Sequence, residues 1–231
     1  MKSIGTQLIK ALFIAAALVT SVARAATPGI VGSVHDFTIN TNAWIAGGTN
    51  TWVQRNNVCG VCHTVHHNNA DKLAPLWHHK STTAAFTPYS SESLDATSPG
   101  DISGRSRACL SCHDGSVAIN DISGTPTGGT AVYIDAAAKI NDLDVTHPVS
   151  ITYDSALVAA DGYLNDPNTT TVFGSGGKTI SQYMLFNGKL ECSSCHDIHR
   201  VKGNSMNSGI MGKVGGTGAP ASVLCVTCHK K

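Results

Sequence analysis

Charge is scarce in this chain. Asp, Glu, Lys and Arg make up 13% of its 231 residues, and 16 basic against 15 acidic side chains leave a formal net charge of +1. That balance excludes the basic surface of a nucleic-acid binder and of a protein held to acidic membranes. Aromatic residues are only 6%, against 23 glycines. Gly, Ser, Thr and Asn crowd the connecting segments, so little regular structure is expected, and something besides an apolar core must hold the chain together. Beyond residue 25 no stretch is apolar and long enough to span a bilayer, so no transmembrane anchor is expected. One apolar run stands at the start, residues 11–22, behind Lys2 and Lys10. It leads into Ala23-Arg24-Ala25, a cleavage sequence of the A-x-A kind. Residues 1–25 are therefore read as a secretory signal peptide and 26–231 as a single exported domain. The first cysteine is Cys59, so none stands at the cleavage site to carry a lipid.

No cysteine is solitary. All eight fall in four pairs, each followed by histidine: Cys59-x-x-Cys62-His63, Cys109-x-x-Cys112-His113, Cys192-x-x-Cys195-His196 and Cys225-x-x-Cys228-His229. C-x-x-C-H is the c-type haem attachment motif. Two thiols one short turn apart can form thioethers to the two vinyl groups of one haem, and the adjacent histidine then lies under the iron as proximal ligand. Paired C-x-x-C segments also build structural zinc sites, and exported chains also form disulfides. Neither accounts for a histidine after every second cysteine. Four covalent haem c groups are expected, on Cys59, Cys62, Cys109, Cys112, Cys192, Cys195, Cys225 and Cys228, with His63, His113, His196 and His229 as proximal ligands. Attachment after export agrees with the signal peptide.

Methionine is too scarce to supply the sixth ligands in its usual way. Beyond residue 25 there are three, Met184, Met206 and Met211, against seven spare histidines, His35, His66, His67, His78, His79, His147 and His199. Bis-histidine ligation is the simpler reading. His66 follows His63 by three residues, and His199 follows His196 by three. On a short helix such a pair lies on neighbouring faces. The second histidine cannot reach the far side of its own motif's iron, so it is aimed at another haem, and the two porphyrins are drawn together as electron hopping requires. The distal candidates are His147 and His199 first, the one stiffened by Pro148 and the other aimed by its turn, then His35, His66 and His79.

Along the chain, residues 130–135 and 147–153 alternate with period two and predict short strands. Residues 183–192 predict a hairpin about Asn187-Gly188, a type I′ turn that would deliver the third motif. The motifs begin at 59, 109, 192 and 225 with no fixed period. The expected fold is mostly irregular coil, with short α-helices around the haem motifs and a few short β-strands.

The segments His35-Asp36-Phe37, C-H-T-V-H, Leu76-Trp77-His78-His79, C-L-S-C-H-D-G, His147-Pro148-Val149, C-S-S-C-H-D-I-H and the final L-C-V-T-C-H together resemble the tetrahaem cytochromes of metal-reducing bacteria. The likeness is above all to the family that polymerises into extracellular cytochrome filaments, and it spans most of the chain beyond residue 25. It implies a loop-rich fold with a continuous haem stack, head-to-tail self-association, and a histidine near the N-terminal motif, here His66, that ligates a haem of the neighbouring subunit. The doubled histidines at 66–67 and 78–79 depart from that pattern. Three functions compete: an extracellular or cell-surface filament subunit, a soluble periplasmic electron carrier, and a haem reductase. A reductase needs an iron with an open axial site, and the histidines suffice to close all four. The protein is accordingly expected to be no enzyme, and to exchange electrons with redox proteins or extracellular acceptors.

Overall fold

The computed structural model describes residues 29–31, 33–39, 45–47, 57–64, 73–122, 125–200 and 222–230. The signal segment, His66, His67, Met206 and Met211 lie outside them. Within them the chain is mostly irregular, with short helices and two-stranded ribbons. Among the described residues no helix is long and apolar enough to cross a membrane.

The longest helix among the described residues, α1, covers Gly104–His113. Its start is tied down by three consecutive side chains. Arg105 lays its guanidinium 3.9 Å from the centroid of the Phe186 ring. Ser106 is fully buried and bonds Glu191. Arg107 holds the Asp101 carboxylate through both oxygens, at 2.9 and 2.7 Å, and donates to the carbonyls of Ile102 and Thr82. The helix stops at Asp114-Gly115, where Gly115 takes φ 70° and donates to Cys112 O at 3.0 Å. A side chain with a Cβ resists that left-handed conformation.

β1 (Asp121–Ile122) pairs antiparallel with β2 (Thr125–Pro126). The predicted strand over 130–135 is reduced to one bridge, Ile45 with Ile134. The physical reason is Asn120. Its buried amide donates to the carbonyls of Thr127 and Thr130 at 2.7 and 2.8 Å and accepts the Val132 N–H at 2.9 Å. One side chain thus satisfies backbone groups that a neighbouring strand would otherwise take.

The second predicted strand shortens to β3 (Ile151–Thr152). Ser150, at φ 61°, turns the chain out of the extended conformation just before it. α2 (Ser155–Asp161) follows, capped at its start by the Asp154 side chain accepting Leu157 N–H at 2.9 Å and closed by Gly162 at φ 76°. α3 (Ile180–Tyr183) ends where the first arm of the expected hairpin begins, so of that arm only Tyr183 is helical. Gln182 accepts the Thr179 N–H at 3.1 Å, and fully buried Ile180 anchors the turn to the core. The type I′ turn itself is present. Asn187 and Gly188 have φ 53° and 75°, and Phe186 and Lys189 exchange both backbone hydrogen bonds, at 3.0 and 3.1 Å. β4 (Lys189–Leu190) then pairs with β3 over both its residues, while only the Phe186–Lys189 bridge ties it to the arm before the turn. It runs through Glu191 into α4 (Cys192–Cys195), and α5 (Val223–Cys228) carries the last motif.

The described apolar residues form four separate clusters. The largest gathers Ile151, Tyr153, Val172, Ile180, Met184, Leu185, Leu190 and Leu224. Met184 is thereby committed to packing, at 1% exposure.

Candidate functional site

Each C-x-x-C-H segment closes one helical turn. The histidine N–H donates to the carbonyl of the first cysteine in the first, third and fourth motifs: His63 to Cys59 at 2.9 Å, His196 to Cys192 at 3.0 Å and His229 to Cys225 at 2.9 Å. The second motif forms the end of α1, with His113 its last residue. Cysteines three apart on such a turn share one face, which is the disposition that two bonds to one planar group require. All eight thiols are free.

The thiols also neighbour one another from motif to motif. Burial, then Cys59, pushes Cys62 up to about 11. Burial and then the nearby Cys62 raise Cys112 well above the ordinary thiol range. The neighbouring thiols of Cys109 and Cys192 act on each other, which raises Cys109 and lowers Cys192. Burial, then Cys192 and Cys225, takes Cys195 up to about 11, and burial followed by Cys195 takes Cys228 up to about 12. The four motifs therefore follow one another in space in the order of the sequence. The link between the second and third is the most built. The Cys192 N–H donates to Ser106 Oγ at 3.0 Å, and the Ser106 N–H donates to Glu191 Oε2 at 3.1 Å.

Three motif histidines each face a spare one. The ring centroids lie 6.1 Å apart for His35 and His113, 6.3 Å for His63 and His199, and 6.3 Å for His147 and His229. A metal about 2.0–2.1 Å from an imidazole nitrogen stands about 3.1 Å from the ring centroid, so two imidazoles on opposite sides of one metal have centroids about 6.3 Å apart. His199 faces His63 of the first motif, not His196 of its own.

The second ring nitrogens bear on the same point. His113 Nδ1 lies 3.0 Å from Ala138 O, and His147 Nδ1 lies 3.1 Å from Pro148 O. A carbonyl at Nδ1 fixes the tautomer that leaves Nε2 as donor to a metal. His199 Nδ1 is 3.8 Å from Asp197 Oδ1. His35 Nδ1 is buried with no hydrogen-bond partner, and burial, followed by His113, His196 and His199, lowers this histidine to about 4. It is held as a neutral imidazole, the form that ligates.

The remaining predicted ligands fare differently. His79 is fully buried with both nitrogens at carbonyls: Nδ1 at 2.8 Å from Lys80 O, and Nε2 at 3.1 Å from both Ala118 O and Ile119 O. It lies in the wall beside Cys112, whose Sγ is 3.6 Å from Nε2. His66 lies outside the described residues. His196 is the motif histidine with no imidazole facing it among the described residues.

The zinc alternative requires four converging ligands. Among the described residues no three His, Cys, Asp or Glu side chains gather in that way. Two features were not read from the sequence. The carbonyls of Ala138 and Pro148 carry no side-chain signal. Glu191 did carry one, as a carboxylate placed directly before Cys192 in a chain poor in charge. No protein-family model and no curated protein matches the chain.

Proposed function

We propose that this protein is an exported electron carrier holding four haem c groups, and that it acts as the subunit of an extracellular cytochrome filament. The supporting observation is the set of three imidazole pairs at 6.1–6.3 Å, each combining one C-x-x-C-H histidine with one spare histidine. The residues fit the group: paired free thiols on one turn, a neutral buried imidazole with an orphaned nitrogen at His35, and carbonyls that orient His113 and His147. Each bound haem supplies a one-electron iron couple.

The chain's own residues fix and insulate that couple. Cys59 and Cys62, Cys109 and Cys112, Cys192 and Cys195, and Cys225 and Cys228 would hold the haems covalently. His63 with His199, His113 with His35, and His229 with His147 would each hold one iron between two imidazoles. Irons so held would offer no substrate site, as befits transfer rather than catalysis. His196 takes its partner from outside the described residues, and in this reading the partner is His66 of the next subunit. A head-to-tail contact of that kind does not close on itself and yields a filament.

Intact mass and electron paramagnetic resonance of the secreted product test the reading. The mass should exceed that of the bare chain by four haems of roughly 0.6 kDa each, and the irons should be low-spin. A secreted product without haem would end it. Electron microscopy of the secreted fraction tests the assembly.

A further inference from the structure

Glu191 is buried, at 3% exposure, in a chain with little charge to spare. Its Oε2 accepts the Ser106 N–H at 3.1 Å, the Ser106 hydroxyl, and the Ser150 hydroxyl at 3.2 Å. The Ser106 N–H belongs to the first turn of α1, where unpaired helix donors favour a negative group. Ser150 sits at φ 61°, a conformation that residues bearing a Cβ adopt at a cost. From it the hydroxyl reaches Glu191 and also accepts the Ser103 N–H at 3.1 Å, while the Ser150 N–H donates to Leu190 O at 2.6 Å. Among the described residues the partners of Glu191 are thus neutral dipoles. They stabilise its charge without cancelling it.

The carboxylate stands between two attachment points. It directly precedes Cys192, whose N–H donates to Ser106 Oγ at 3.0 Å, and Ser106 lies three residues before Cys109. The first and fourth motifs contribute no residue to this network. An uncancelled negative charge in a medium of low dielectric favours the more positive of two iron states. We infer that Glu191 is a positioning residue that clamps the second and third haem sites together and lowers the reduction potentials of those two irons.

The inference rests on the haem reading above. Its test is a spectroelectrochemical titration of the full-length, haem-loaded protein and two variants. Glu191→Gln keeps the shape and removes the charge. It should retain four haems by mass, shift two of the four potential components upward and leave the other two in place. Ser150→Gly keeps the carboxylate, deletes one of its donors and relaxes the backbone, and should shift the same two components downward. Wild-type potentials in a fully loaded Glu191→Gln protein overturn the inference and leave the haem reading intact. If Glu191→Gln does not load, Ser150→Gly decides alone, and unshifted potentials there overturn it. A wild-type product without haem overturns the underlying reading instead.

Discussion

His147 and His79 both neighbour a C-x-x-C-H turn, and their nitrogens are used in different ways. His147 gives Nδ1 to a carbonyl and turns its ring toward His229, whereas His79 has carbonyls at both nitrogens. Replacing His147 or His199 by alanine should therefore turn one haem high-spin, read as a new signal in electron paramagnetic resonance. Replacing His79 should leave the spin states unchanged and lower stability by about 1–3 kcal/mol, because the carbonyls of Lys80, Ala118 and Ile119 lose a buried partner. Thermal unfolding of the loaded protein measures that loss. The helical turns of the motifs were legible because spacing to cysteine is local information. The fate of the spare histidines was not, since it depends on carbonyls such as Ala118 O, 39 residues from His79 in the chain. Proline beside His147 and the C-H-D-I-H turn at His199 singled out these two histidines but not the imidazoles they face.

Among the elements, turns were read better than strands. Asn187-Gly188 announces its φ values in its residue types, and the structure has them. The arm preceding it, 183–186, looked extended, yet its first residue closes the helix anchored by buried Ile180 and only Phe186 bridges across the turn. The alternation at 130–135 was real, but Asn120 supplied what a partner strand would have supplied. Gly188→Ala should cost about 1–2 kcal/mol in thermal unfolding, the penalty of a left-handed residue bearing a Cβ. Asp154→Ala should cost about 1 kcal/mol, as loss of an N-cap does. The two should differ in a second readout. The turn feeds β4 and the third motif, so only Gly188→Ala should lower the haem-to-protein ratio of the secreted product.

For the whole molecule, the described apolar residues form four small groups instead of one core. In the filament reading, packing against haem joins them within a subunit and His66 joins subunits. His66→Ala should abolish filaments in electron micrographs while the intact mass still shows four haems, and it should leave one high-spin iron per chain. Normal filaments from that variant would remove His66 as the bridge. The nearness of Cys109 to Cys192 has a consequence of another kind. An exported chain meets an oxidising compartment, where two neighbouring thiols of separate motifs can be joined by exchange before any cofactor reaches them. Maturation then becomes a race between thioether formation and a premature crosslink. Peptide mapping of chains secreted without their haem should find Cys109 bound to Cys192.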